Sequence, residues 1–139
     1  MSKTVLVLDP NKILYKASNY GLGALIIYDR LLQVGIDVEL FNTTKNALNE
    51  RDEMISEILG LRPYALCITT RCDTYPFCIN LAERIKKKCE DIKIVFGGPH
   101  ATLTCKQTFD FTKNIDVIVC GAGEGVIEQV IIQNFAVIN

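Results

Sequence analysis

Short apolar runs alternate with amphipathic segments along almost all of the 139-residue chain. Five of these runs are rich in Val, Ile and Leu, and they do not alternate strictly between apolar and polar residues. Such runs are typical of parallel strands that helices cover on both faces. They predict strands at residues 4–8, 37–41, 64–69, 93–96 and 116–120.

The segment after the first predicted strand has the period of an amphipathic helix. Its apolar residues recur at i, i+3, i+4 and i+7, at Ala24, Ile27, Tyr28 and Leu31. Leu22 and Ile26 project toward the polar side of the same helix. They are either tolerated surface residues or part of a contact with another domain.

Four more helices are predicted between and after the remaining strands. One covers residues 47–59; Gly60 ends it, and Pro63 prevents any extension. A second carries an apolar stripe over residues 78–89. Another runs from 99 toward 111, and the last begins near Glu124. The residues expected to face inward are Leu48, Ile55, Ile58, Cys78, Ala82, Ile85, Cys89, Ile127, Val130 and Ile131.

Strands and helices alternate five times, with connections short enough for right-handed crossovers. This order predicts an α/β fold, a doubly wound parallel sheet with helices on both faces. Five strands favour the flavodoxin-like (Rossmann-like) order 2-1-3-4-5. Residues 1–139 are read as one domain, because no repeat or linker interrupts the pattern.

The composition and net charge of the chain argue against nucleic acid and membranes as partners. Hydrophobic residues make up 49% of the chain, charged residues 22%, and the net charge is −1. This balance does not favour nucleic acid or an anionic membrane surface. No run reaches the roughly 18 apolar residues of a membrane span, and the first apolar run is too short for a signal peptide. We therefore expect a cytoplasmic protein.

The six cysteines do not have the spacing of a metal site. Neither Cys-x-x-Cys nor Cys-x-x-x-Cys-x-x-Cys occurs, so no zinc or iron–sulfur site built from side chains of this chain is expected. Cys67 and Cys120 fall in predicted strands, and Cys78 and Cys89 share a helical stripe, so these four are interpreted as small buried hydrophobic residues. The role of the other two, Cys72 and Cys105, is open.

Candidate chemistry lies where each strand ends, because open parallel sheets bind ligands beyond the carboxyl ends of their strands. The third strand ends in Thr69 and Thr70, where a phospho-receiver domain needs an aspartate. No Gly-x-Gly-x-x-Gly follows the first strand, and no Gly-Lys-Ser/Thr loop is present. No nucleophile with an evident base can be named. The segments at these positions are 9–11, 42–44, 70–71, 97–100 and 121–125.

Glycines and hydroxyls remain as the candidate ligand contacts. Gly97 and Gly98 either let a bulky ligand approach the backbone or simply form a tight turn. The last helix is expected to begin at a segment that contains Gly121, Gly123 and Gly125. Either the backbone N–H groups there bind an anionic or carbonyl group, or the glycines are needed only for the geometry of the turn. Three side chains have two interpretations: Thr69 and Thr70 bind a ligand or close the strand end, and Glu124 acts in the site or caps its helix.

Two stretches together resemble a known family. They are Val95-Phe96-Gly97-Gly98-Pro99-His100-Ala101-Thr102 and Asp116-Val117-Ile118-Val119-Cys120-Gly121-Ala122-Gly123-Glu124. They resemble the amino-terminal cobalamin-binding domain of cobalamin-dependent radical SAM enzymes. The usual sequence of that domain is close to GGPHAT, followed by D-x-(V/I)-V-x-GEGE. Ile68-Thr69-Thr70 stands where that family has Ser or Thr at the end of the third strand. The resemblance covers nearly the whole chain.

The sequence departs from the family in its loops. Ala122 replaces the first Glu of GEGE, and Cys105 stands where proline is common. Asn11 stands where other cobalamin domains, with an Asp-x-His-x-x-Gly motif, have the histidine that ligates cobalt. The only histidine of this chain, His100, is expected to order its loop rather than to bind cobalt.

The resemblance implies a module that binds cobalamin. The corrin ring would lie above the carboxyl edge of the sheet, and the nucleotide tail would pass Thr69, Thr70, Gly97 and Gly98. A valine at Gly98 is expected to block the tail while leaving the fold intact, since the position lies in a loop. The residues that the resemblance and the sheet edge together assign to the cofactor are Asp9, Pro10, Asn11, Thr69, Thr70, Gly97, Gly98, Pro99, Gly121, Gly123 and Glu124.

The resemblance also implies a partner domain. A radical SAM barrel, with its S-adenosylmethionine and iron–sulfur cluster, would follow in cis, and the full enzyme would perform methyl transfer or related radical chemistry. This chain, which lacks the cluster motif, would then be a fragment or an N-terminal module. The alternatives are a ligand-free interaction domain of the same fold and an independent hydrolase or reductase, for which no catalytic constellation is present.

Overall fold

A computed structural model describes residues 4–120 and 126–132, except for the side chains of residues 99–102, 105, 109 and 132. Its five strands form one parallel sheet in the order β2-β1-β3-β4-β5, as the sequence predicts. The strands are β1 (Val5–Leu8), β2 (Val38–Leu40), β3 (Ala65–Thr69), β4 (Lys93–Gly97) and β5 (Val117–Ile118). The helices are α1 (Pro10–Tyr15), α2 (Leu22–Gln33), α3 (Arg51–Gly60), α4 (Tyr75–Lys88), α5 (Pro99–Phe111) and α6 (Ile127–Ile132).

The sheet separates two apolar layers, because successive side chains of a strand point to opposite faces. Leu66 and Phe96 point to one face and pack with buried residues of α3 and α4. Val7, Cys67 and Val95 point to the other face, which α2 and α6 cover. An apolar cleft opens on this second face.

The segment after β1 is a helix, whereas the sequence pattern predicted a ligand-binding loop. Asp9 caps α1, its Oδ1 accepting a hydrogen bond from the Asn11 backbone N–H at 3.1 Å. Pro10 occupies the first turn, where its missing N–H costs nothing. The Asp9 Oδ2 accepts a second bond, from the Gly21 N–H at 2.6 Å, so this carboxylate joins the start of α1 to the start of α2.

The second predicted helix starts later than expected. It begins at Arg51 rather than at residue 47, and Leu48 is 69% exposed instead of facing inward. The Asn46 side-chain oxygen accepts hydrogen bonds from the backbone N–H groups of Leu48 and Asn49, which holds this segment in a turn. Ile55, by contrast, is buried as predicted.

The cysteine interpretation is correct for two residues and wrong for a third. Cys67 and Cys78 are buried, whereas Cys120 is exposed because β5 ends at Ile118, before the predicted boundary. Cys89, predicted to be buried, follows the last residue of α4 and is only partly buried. An edge strand of two residues explains why the strand pattern overestimated the cover at Cys120.

Candidate functional site

An apolar cleft of about 190 Å³ opens at the carboxyl edge of the sheet, between the sheet and helices α2 and α6. Strands β1, β3 and β4 and the residue after β5 contribute to its floor, and the two helices form its walls. The cleft is lined by Val7, Gly23, Ile26, Ile27, Cys67, Ile68, Thr69, Val95, Phe96, Gly97, Gly98, Val119 and Ile127. Such a lining suits the apolar part of a ligand.

Two polar side chains, Thr69 and Cys67, reach this lining. Thr69 is partly exposed at the end of β3 and brings a hydroxyl to the mouth of the cleft. Burial raises the pKa of the Cys67 thiol from 9.0 to about 12, so this group stays neutral at physiological pH. The described lining therefore carries no charged side chain, and its side-chain hydrogen bonding rests mainly on Thr69.

Gly97 and Gly23 leave space on opposite sides of the cleft. A Cβ atom built on either residue would meet no heavy atom within 4 Å. Gly97 points to the same face as Val95, two residues earlier on β4, which places its open side in the cleft. Gly23 lies in the first turn of α2. These two positions form a cradle that side chains would fill.

Gly98 has a different role from its neighbour. Its φ of +97° and ψ of 179° belong to a region that only glycine adopts readily. A Cβ there would lie 2.7 Å from the Thr70 carbonyl oxygen and 2.9 Å from the Thr70 nitrogen. The expectation that the fold survives a valine at Gly98 is therefore wrong, because a side chain would collide with rigid backbone.

Thr70 belongs to this turn rather than to the cleft surface. It is fully buried, and its backbone N–H and Oγ1 both donate to the Gly97 carbonyl, at 2.7 and 2.8 Å. These bonds tie the end of β3 to the end of β4 and fix the path of Gly98. The structure thus separates the two threonines: Thr69 lines the cleft with Gly97 and Gly98, whereas Thr70 lies in the turn beneath it. Gly98 also builds that turn, because it lies directly against the Thr70 backbone.

The other predicted contacts fall away from the cleft lining or outside the described residues. Asp9, Pro10 and Asn11 form the cap and first turn of α1, and none of them lines the cleft. Pro99 begins α5, but its side chain and that of His100 are not described. The remaining three, Gly121, Gly123 and Glu124, lie outside the described residues.

Sequence reasoning missed the helical walls of the cleft. Ile26 stands out in the sequence only as an apolar residue on a polar helix face; in the structure it is 38% exposed and borders the cleft. The sequence pattern predicts Ile127 only as an inward-facing helix residue and assigns no role to Gly23. The wall is held by a link between α2 and α6, in which Arg30 Nε donates to Glu128 Oε1 at 3.1 Å. The sequence feature that could have indicated this wall is the pair Gly23 and Ile26 in the first two turns of α2, next to the carboxyl edge of the sheet.

The cysteines provide a test of burial at the cleft that does not depend on any ligand. At pH 8 we expect iodoacetamide to alkylate the exposed Cys72 and Cys120 first. Cys67 and Cys78 should react only after denaturation, because both are buried and burial raises the pKa of each thiol to about 12. Mass spectrometry of the peptides measures the order. Alkylation of Cys67 as fast as Cys72 in the folded chain would contradict the closed floor of the cleft.

Two classes of feature are missing from the described part of the chain. Within residues 4–120 and 126–132, no three His, Cys, Asp or Glu side chains lie close enough together to hold a metal ion. The helices of these same residues are all too short or too polar to cross a membrane.

Comparison with family models gives one match over most of the chain. The model described as "B12 binding domain" matches residues 14–131, which include both walls and the floor of the cleft except Val7. A search among curated proteins finds no match.

Solved structures share the fold at low sequence identity. The radical S-adenosylmethionine methyltransferase TsrM from Kitasatospora setae, with tryptophan and a SAM analogue bound, has a TM-score of 0.73 and 18% identity over 96% of this chain. TsrM with cobalamin and a [4Fe-4S] cluster has a TM-score of 0.69 and 22% identity over 96%. The chain spans about a quarter of the TsrM chain, 26% and 25% in the two structures.

Receiver domains share the same architecture. The isolated REC domain of RcsB from Salmonella enterica serovar Typhimurium has a TM-score of 0.61 and 15% identity, covering 95% of this chain and 87% of its own. The likeness extends to the fold alone. In this chain β3 ends at Thr69, followed by Thr70, where a phosphate-accepting aspartate would be required.

Proposed function

Because the chain belongs to the B12-binding domain family, we propose that it binds cobalamin at the carboxyl edge of its sheet, with the nucleotide tail in the cleft. The observation that carries the proposal is the glycine cradle, since Gly23 and Gly97 leave open space on both sides of an apolar slot. A slot of this kind at a strand edge is where doubly wound sheets take their ligands.

The size and chemistry of the cleft fit the tail of this cofactor. At about 190 Å³ it is smaller than the roughly 300–1,000 Å³ of clefts that enclose a whole small molecule. It therefore holds one part of a larger ligand, while the rest stays above the sheet edge. The tail ends in a flat, largely apolar base, which matches the apolar lining formed by Ile26 and Ile27 in the wall and by Val95 and Val119 in the floor.

The residues assigned to the tail are Gly23, Thr69 and Gly97, with the apolar walls around them. The Thr69 hydroxyl can donate a hydrogen bond to the free ring nitrogen of the base. Gly97 and Gly23 have no side chains, so they leave the space in the cleft open for the tail. Thr70 lies below this floor and positions it through its hydrogen bonds to the Gly97 carbonyl. No residue of α1 is a histidine, so this helix supplies no imidazole to cobalt. When bound, cobalamin supplies a cobalt centre that can carry a methyl group.

In a longer protein the domain would present the corrin to a radical SAM barrel in cis. The support is the shared fold with TsrM, a radical SAM methyltransferase whose structure contains cobalamin, and the fact that this chain spans a quarter of that protein. Methyl transfer or related radical chemistry, with its S-adenosylmethionine and iron–sulfur cluster, would belong to that second domain. A cytoplasmic location accords with this role.

One observation favours a second candidate, a ligand-free interaction domain. Leu22 is 74% exposed at the start of α2, and Leu25 on the same helix is 38% exposed. Together they give α2 an apolar outer edge beside the cleft. An interaction domain would use this edge without a cofactor, whereas a cofactor module would use the slot behind it.

Titration with hydroxocobalamin distinguishes these two functions. We expect a saturable change in visible absorbance with one cofactor per chain, because the corrin leaves water on binding. Co-elution of the red cofactor with the protein on gel filtration provides the stoichiometry. If the folded chain shows no saturable binding up to high micromolar hydroxocobalamin, the proposed function is wrong and the interaction domain is favoured.

A further inference from the structure

The described lining of the cleft offers few side chains that can accept a hydrogen bond. The carbonyl of Gly97, which borders it, already accepts two hydrogen bonds from Thr70, at 2.7 and 2.8 Å. Among the side chains of the lining, Thr69 offers a hydroxyl and Cys67 a neutral thiol, which is a weak donor and a weak acceptor. The other side chains of the lining are hydrocarbon.

This scarcity distinguishes between two classes of base found in corrinoid tails. A benzimidazole has one free ring nitrogen once its sugar is attached, which one hydroxyl can satisfy. An adenine has two more ring nitrogens and an amino group that carries two N–H donors. Polar groups moved from water into an apolar site without partners weaken binding. The two ring systems have similar size, so the discrimination would come from polarity rather than from shape.

From this polarity we infer that the cleft selects corrinoids by their lower base, accepting benzimidazoles and rejecting purines. The inference rests on the proposed function and adds a ligand class to it. Ile26 is the residue best placed to set the preference, since it borders the slot from α2 and is still 38% exposed. A polar side chain at this position can therefore reach the slot without burying a new unpaired group.

The test compares three corrinoids on the 139-residue chain. They are cobalamin, its adeninyl analogue, and cobinamide, which has neither nucleotide nor base. All three are used in the dicyano form, in which cyanide occupies both axial positions of cobalt and leaves the base free, so that different affinities of the bases for cobalt do not contribute. Affinity is measured by equilibrium ultrafiltration and corrin absorbance.

We expect the adeninyl analogue to bind about ten- to a hundredfold more weakly than cobalamin, the range set by one or two unpaired polar groups. Cobinamide should also bind more weakly than cobalamin, since it places nothing in the cleft. Equal affinity for the two bases, with weaker cobinamide, would overturn the inference and leave the proposed function standing. Failure of all three to bind would overturn the proposed function itself.

A matched pair of variants locates the preference. Ile26→Gln adds an amide donor and acceptor at the cleft. It should lower the ratio of the affinity for cobalamin to the affinity for the adeninyl analogue by a factor of at least about three. Leu25→Gln is the control, because Leu25 is its neighbour on α2, is equally exposed at 38%, and does not line the cleft. Both variants should keep the circular dichroism of the wild type. An unchanged preference in Ile26→Gln, or an equal change in Leu25→Gln, would overturn the assignment.

Discussion

Replacement of Gly98 by alanine should destabilise the chain by about 2–6 kcal/mol, the sum of backbone strain and of collision with a rigid neighbour. The φ of +97° accounts for the strain. The collision is with Thr70, whose carbonyl oxygen would lie 2.7 Å from the new Cβ. Urea denaturation followed by circular dichroism measures the loss in the free energy of unfolding.

Two other glycines separate these causes. Gly35 has a φ of +83°, but a Cβ added there would have nothing within 4 Å, so Gly35→Ala should cost only about 1–2 kcal/mol from strain. Gly60 has neither a positive φ nor a close neighbour, and Gly60→Ala should change the free energy of unfolding by less than about 1 kcal/mol. A Gly98→Ala chain as stable as Gly60→Ala would contradict the close approach of Gly98 to Thr70.

Replacement of the adjacent Gly97 by valine should instead spare the fold and weaken hydroxocobalamin binding by about ten- to a hundredfold, since overpacking a filled site costs on the order of 1–3 kcal/mol. Gly97 ends β4, where a β-branched residue is compatible with the strand, and its Cβ would point into open space. Titration by visible absorbance gives the affinity, and urea denaturation gives the stability.

A second variant approaches the slot from the opposite wall. Gly23→Leu replaces a helical glycine with a good helix former, so it should raise the free energy of unfolding by up to about 1 kcal/mol while weakening binding. A variant that is more stable but binds more weakly cannot owe its weaker binding to a general folding defect. Gly60→Val is the control, at the end of α3 and remote from the slot. Wild-type affinity in both Gly97→Val and Gly23→Leu would place the tail elsewhere.

The strand order could be predicted from sequence because continuous apolar runs and short right-handed connections leave few arrangements for five parallel strands. The short helix α1 was missed even though Asp9 followed by Pro10 is a helix-start signal. Its six residues are too few to display a helical period. The apolar character of Leu48 predicted a helix there, but the side chain of Asn46 holds that segment in a turn.

The site could be predicted only in part, since its geometry depends on contacts between distant segments. Gly97 and Gly98 are indistinguishable in sequence and both line the cleft, yet a side chain has open space only at Gly97. At Gly98 it would collide with Thr70, 28 residues away along the chain. The helical wall at Ile26 and Ile127 forms only when α2 and α6 pack side by side on one face of the sheet. The hydrophobic pattern of a segment identifies the face that points into the protein. It does not identify which residues of that face line a cleft formed with another segment.

The most direct measurement is a titration of ¹⁵N-labelled chain with hydroxocobalamin, whose cobalt(III) is diamagnetic, followed by amide chemical shifts. Binding of the tail in the cleft predicts saturable shifts at Gly23, Thr69 and Gly97, which line it. The amides of Gly60 and Leu61, which precede β3 at the opposite edge of the sheet, should stay in place. Saturable shifts at Gly60 and Leu61 without shifts at Gly23, Thr69 and Gly97, or no saturable shift anywhere, would contradict cobalamin binding in this cleft.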